Sequence, residues 1–258
     1  MAGTQRVGID MLMRGLARCL TIGILLLLPV HAGAVGKDKL SLLRHIHTYA
    51  LSVDTIHASK VTYAYARSSL RVERRNPILM LVPSAYIIAQ GNQRHFLTES
   101  YAKVELRNYN DFDVTPLVRV TTIPGYKRTM ASFNRYMTPT IYSETIVGNT
   151  ILSPFHPHNF RFYKYRINAE NGDTVNIRFY GRRRNTQLVR GEATVDRLTG
   201  RIIRCNYKCE YDMIRSWVSM EMGEHGASSL FPKNCEALFL FRFLGNRVSA
   251  HYKLMFGV

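Results

Sequence analysis

Histidines come first among the residues that could do chemistry. His156-Pro157-His158 and His45-x-His47 are the two closely spaced pairs, and imidazole serves both as a general base near neutral pH and as a metal ligand. A metal centre needs three or four ligands converging from separate elements. The prolines beside His156, Pro154 and Pro157, place it in an irregular turn, where histidines usually face solvent or cap the backbone. Glu99, Glu144 and Glu221 are candidates for buried acid–base work, yet the spacing brings none of them to another or to a histidine pair. Other acids stand beside a base, as Glu73 beside Arg74 and Asp196 beside Arg197. There is no Gly-x-Ser-x-Gly elbow, no His-Glu-x-x-His helix and no phosphate-cradling glycine loop. The chain reads as a non-enzyme with no metal site and no cofactor.

Cysteine chemistry is limited by count and position. Cys19 lies near the N-terminus, and Cys205, Cys209 and Cys235 follow in the body of the chain. Cys205 and Cys209 fall on one face of a strand but about 13 Å apart at ~3.3 Å per residue, beyond disulfide reach. A bridge, if one forms, joins Cys205 or Cys209 to Cys235.

Aromatic residues point to binding. There are 15 Tyr and 12 Phe, many at alternate positions of the later strands. Phe179, Tyr207, Tyr211 and Phe241 are the candidates to line one concave sheet face, as rings do in ligand-binding half-barrels. The competing reading is a packed core beneath helices. Arg182-Arg183-Arg184 at a hairpin tip could touch lipid phosphates, although a solvated tip explains it more simply.

The elements that must position these residues are mostly strands. Leu40, Leu43, Ile46 and Ala50 recur at helical spacing, so residues 38 to about 53 are expected to form an amphipathic helix. Strands are expected from Val61 to Val72, Arg94 to Arg107 and Leu117 to Ile123, the last bounded by Pro116 and Pro124. A short buried helix is expected in the second half of residues 78–90, and a helical insertion over residues 128–148. From Phe160 the period becomes two: Val175, Ile177 and Phe179 alternate with Thr174, Asn176 and Arg178, and Ile203 to Tyr211 behaves alike. Turn residues at Asn171-Gly172, Gly181 to Asn185 and Asp196 to Gly200 separate the runs, which makes an antiparallel meander. Strands over Ala237 to Phe243 and Arg247 to Phe256 close it around Gly245-Asn246.

The expected fold is α+β and mainly β: a curved antiparallel open sheet, a half-barrel, with a few short helices covering one face. Arg6, Arg14 and Arg18, the apolar run Leu20 to Val30 and Ala32-Gly33-Ala34 read as a secretory signal peptide over residues 1–34. Residues 35–258 are then a single domain in the periplasm or on the periplasmic face of the outer membrane. Loss of residues 1–34 leaves 32 basic and 17 acidic residues, a net charge of +15. Export removes nucleic acid as a partner for that charge and leaves phospholipid and lipopolysaccharide phosphate. The chain stops at Val258 inside a strand pattern, so that strand is expected either to lie at a covered edge or to be cut short at its C-terminus.

Several segments together resemble a known family. They are Arg75 to Pro83, Thr138 to Thr145, Ile151 to Phe155, Phe162 to Tyr165 and Phe241 to Arg247, and they are similar to Bacteroidetes envelope proteins of unknown function. Members of that family are often described beside carboxypeptidase-regulatory-like or receptor-associated outer-membrane proteins. Tyr163 to Arg204 is also similar to outer-membrane lipoprotein-sorting proteins, in which a curved sheet and helical lid hold an acyl chain. The resemblance implies a non-catalytic binding or assembly module that shelters an acyl chain or apolar partner segment, partnered by the outer membrane, its lipids or a membrane barrel protein. The alternative is the soluble structural portion of a barrel protein with no ligand of its own. A third class, a hydrolase or metal enzyme, would require His156, His158 and a buried carboxylate to converge.

Overall fold

The computed structural model describes residues 37–56, 60–76, 93–108, 111–123, 141–147, 151–211 and 213–257. The expected signal peptide, the short helix within 78–90 and residues 128–140 and 148 of the expected insertion lie outside them. The first helix forms where its apolar spacing places it. In α1 (Lys37–Ile56), Leu43, Ile46, Ala50 and Val53 fall on one buried stripe, the i, i+3, i+4 pattern of a helix facing a core.

Ten strands make one antiparallel sheet. In chain order they are β1 (Lys60–Arg74), β2 (His95–Asn108), β3 (Asp111–Thr121), then, after the short β4 (Thr145–Val147) and β5 (Ile151–Leu152), β6 (Tyr163–Asn171), β7 (Thr174–Gly181), β8 (Arg190–Asp196), β9 (Ile202–Tyr211), β10 (Ile214–Met222), β11 (Pro232–Phe243) and β12 (Asn246–Phe256). Their spatial order is β3-β2-β1-β12-β11-β10-β9-β8-β7-β6, with β4 and β5 a separate two-stranded ribbon. The late strands form the expected meander, and β1 joins it by pairing antiparallel with β12, Ala64 opposite Phe256 and Val72 opposite Val248. The fold is thus mainly β, one large antiparallel open sheet with few helices.

Three expectations are corrected. Residues Ile214–Met222 form β10, a strand missing from the expected set. Its inward positions include Ser216 beside Val218, Met220 and Met222, and the serine weakens the alternation that would reveal it. Pro116 does not bound β3 but lies inside it, opposite Ala102 at a register shift. A proline has no N–H for the ladder and is tolerated there because β3 is an edge strand. The end of the expected helical insertion is a turn followed by β4, which pairs with β5.

Because β3 and β6 occupy opposite edges, the chain between them must cross the sheet. Nine interstrand steps of ~4.8 Å would span ~43 Å on a flat sheet, and the described part of the crossing segment, residues 141–147 and 151–162, packs against one face. Its described part is fastened by buried hydroxyls. Tyr163 donates to the Leu152 carbonyl at 2.6 Å and accepts from the Val189 N–H at 3.2 Å; Tyr165 donates to the Pro154 carbonyl at 2.6 Å; Tyr142 accepts the Ile202 N–H at 2.9 Å. Burial pushes all three phenols well above their ordinary pKa. They act as neutral hydrogen-bonding groups. Helix α1 docks on the same face, where Tyr49 donates to Ser229 Oγ at 2.5 Å.

Gly200 sets how closely the β8–β9 turn meets α1. Its φ is +79°, and a Cβ there would stand 2.6 Å from the His45 carbonyl oxygen. Gly172, at φ +57°, faces open space. Gly172→Ala should therefore cost about 1 kcal/mol, the left-handed backbone penalty alone, and Gly200→Ala clearly more, as read by urea denaturation. Tyr163→Phe keeps the ring but strands two buried backbone groups, and should cost about 1–3 kcal/mol in the same assay.

Candidate functional site

The four aromatic candidates fall on one face of the sheet. Register places Phe179, Gly191 and Tyr207 in one row and Tyr211, Ile214 and Phe241 in another. Their surroundings differ. Phe179 is 1% exposed, with its ring edge-on to Phe155 at 5.3 Å and to Tyr163 at 6.4 Å. Tyr207 is buried as well. Both rings fill the core under the crossing segment. The Tyr211 side chain lies outside the described residues, and Phe241 is half-buried.

The row containing Phe241 marks an incompletely covered end of that face. Ile214, Phe241 and Val248 stand side by side on β10, β11 and β12. One step further along the strands, Phe239, Ala250 and Leu70 do the same on β11, β12 and β1. Ile214 is 40% exposed, and the other five are only half-buried. Six apolar side chains thus adjoin one another across four strands with partial access to water.

The opposite face is polar and basic. Cross-strand ion pairs link Arg178 to Glu192 at 3.6 Å, Lys253 to Glu236 at 3.7 Å and Arg67 to Glu99 at 3.4 Å. All are solvated, so each contributes about 0–1 kcal/mol. The next row across the sheet, Arg190, Lys208, Trp217, Leu238, His251 and Ser69, holds no carboxylate. These two rows line a shallow groove. In the arginine run, Arg182 is tied down by its Nε–H donating to the Tyr163 carbonyl at 3.0 Å, while Arg183 and Arg184 are exposed.

Neither pairing left open by the sequence, Cys205 or Cys209 with Cys235, is formed: all three thiols are free and buried. Cys205 and Cys235 flank Met220 of β10, one strand to either side. Two interstrand steps put them about 9–10 Å apart, too far for a bridge. Cys209 lies a further four residues along β9. Burial pushes the Cys209 thiol up to about 11 and the Cys235 thiol up to about 12, and drives Cys205 higher still.

The structure also brings together residues that spacing along the chain did not. Donor atoms of Glu144, His156 and His158 all lie within 4.8 Å of one another. Glu144 comes from the turn before β4, and the histidines flank Pro157 at the start of a 3-10 turn, Pro157–Phe162. His158 Nδ1 is 3.4 Å from Glu144 Oε1. His47 of α1 stands edge-on to His156 with ring centroids 5.5 Å apart. The carboxylate that meets His156 and His158 is an exposed one, Glu144, a convergence the spacing along the chain did not show. Burial, and after it the neighbouring His158, holds both His47 and His156 below the usual histidine pKa, with Glu144 partly opposing this at His156. Glu99 bonds the Tyr65 hydroxyl at 3.1 Å, and Glu221 pairs with Arg204 at 3.7 Å. Both are partly exposed and serve the outer face.

A family model described as a family of unknown function, DUF5686, matches residues 62–256. The chain belongs to this family. No curated protein matches significantly. Among solved structures, a LolA superfamily protein from Nitrosomonas europaea is similar at 10% identity and a TM-score of 0.27, covering 81% of this chain and 90% of that one. A DUF1329 family protein from Desulfovibrio piger is similar at 14% identity and a TM-score of 0.28, covering 84% and 93%.

The burial of the thiols has a direct readout. In the folded chain at pH 8, Cys205, Cys209 and Cys235 should resist maleimide labelling, and all three should label in urea, as mapped by peptide mass spectrometry. Phe179→Ala should cost about 3–5 kcal/mol, as expected for a ring fully enclosed by others. Phe241→Ala should cost distinctly less, since that ring is already partly in water.

Proposed function

We propose that this chain is a non-catalytic binding module of the bacterial envelope, exported to the periplasm, whose sheet shelters an acyl chain. The observation that carries this reading is the half-exposed apolar patch of Ile214, Phe241, Val248, Phe239, Ala250 and Leu70. Apolar surface left beside a packed core is a favourable seat for a hydrocarbon chain, at about 0.8 kcal/mol per buried methylene. The candidates from the sequence then divide by role. Phe179 and Tyr207 build the core that holds the sheet's shape, and Tyr211 and Phe241 belong to the end where a ligand is received. The basic outer face suits a protein working beside the anionic phosphates of the outer membrane, the partner this reading assigns.

Native mass spectrometry of the purified chain, with organic extraction and lipid analysis, tests the proposal. The expected result is about one acyl species per chain, or uptake of a fluorescent fatty acid that Phe241→Glu reduces at least tenfold. A folded chain that carries no lipid and takes up no fatty acid would overturn it. That outcome would favour a structural portion of an outer-membrane barrel protein, with no ligand of its own.

A further inference from the structure

Apart from the apolar patch, and independently of what it binds, we propose that Glu144, His156 and His158 bind one divalent transition-metal ion of the zinc class, with His47 of α1 as the fourth donor. The donor set carries the assignment. Imidazole nitrogen with a carboxylate oxygen is a set that suits zinc and its neighbours, whereas calcium and magnesium prefer oxygen alone.

Geometry supports the same ion. A tetrahedral zinc with bonds of ~2.1 Å sets its donors ~3.4 Å apart. Donor atoms of the three residues already lie within 4.8 Å of one another without a metal. The remaining closure falls to side chains able to move: the Glu144 side chain is 53% exposed and that of His158 73%. His156 is the fixed member, 6% exposed. Its ring lies 4.8 Å from that of His158 and 5.5 Å from that of His47.

The backbone beneath the cluster is held in place by groups that take no part in ligation. The Asn159 side-chain amide, itself 2% exposed, donates to the Glu144 carbonyl at 2.8 Å and to the Ser153 carbonyl at 3.0 Å. The Ser153 N–H donates to the same Glu144 carbonyl at 2.9 Å. The Glu144 main chain and the turn carrying both histidines are thereby locked together, as the supporting contacts of metal sites do for their ligands. One atom remains unexplained by packing. The Nδ1 of His156 is buried and has no hydrogen-bond partner, a rarity in native structures that calls for an account. A metal ion bound at that nitrogen supplies one.

Such an ion would tie α1 to the crossing segment at the point where both cover the sheet. The test is titration of the chelator-treated, purified chain with Zn²⁺, read by calorimetry and by the rise in melting temperature, with Co²⁺ absorption reporting coordination geometry. One ion per chain at micromolar affinity or tighter is expected, with a tetrahedral Co²⁺ band. His158→Ala and Glu144→Ala change exposed side chains, so they should melt like the wild type without metal and bind Zn²⁺ at least tenfold more weakly. Absence of binding to the wild type, or equal binding by both variants, would overturn the site. Unchanged affinity in His47→Ala would remove the fourth donor from the proposal.

Discussion

The pairing of β1 with β12 is the constraint on which the rest of the structure depends. Without it, β6 to β12 would be a plain meander with β12 at its edge. With it, the β1–β2–β3 unit extends the sheet beyond β12, and β3 and β6 become the two edges. The chain must then pass from one edge to the other between residues 122 and 162. That passage brings Tyr142 and Phe155 onto the sheet and makes them part of the core.

The same passage explains why chemistry-bearing residues cluster where they do. Glu144, His156 and His158 belong to the crossing segment, and His47 belongs to the helix that docks beside it. Buried tyrosine hydroxyls supply the fastening, each directed at a backbone group that would otherwise lack a partner away from water. The inner face is consequently dry at one end, where helix and crossing segment lie. Around Phe239 and Phe241 it is only half covered. Among the described residues, the outer face keeps its charges in solvent.

Much of the fold was legible in the residues. Alternation in β7, β8 and β9 is clean because one face is buried and the other wet, and a period of two records that division directly. The stripe of α1 is equally plain. β10 escaped because Ser216 interrupts its inward row, and Pro116 misled because proline is read as a boundary unless the strand is known to be an edge. Which strand is an edge depends on a pairing between residues nearly two hundred positions apart, and no local pattern carries that.

The candidate sites divide in the same way. That Phe179, Tyr207, Tyr211 and Phe241 share a face follows from their alternate positions in strands, and the sequence by itself determined it. Whether a ring on that face packs in the core or meets water was decided by which end the crossing segment covers. The separation of Cys205 from Cys235 likewise follows from strand order, since Met220 lies between them. The convergence of His47, Glu144, His156 and His158 was wholly a tertiary decision. Sequence spacing measures distance along the chain, and these four residues meet only because the chain crosses the sheet and returns past α1.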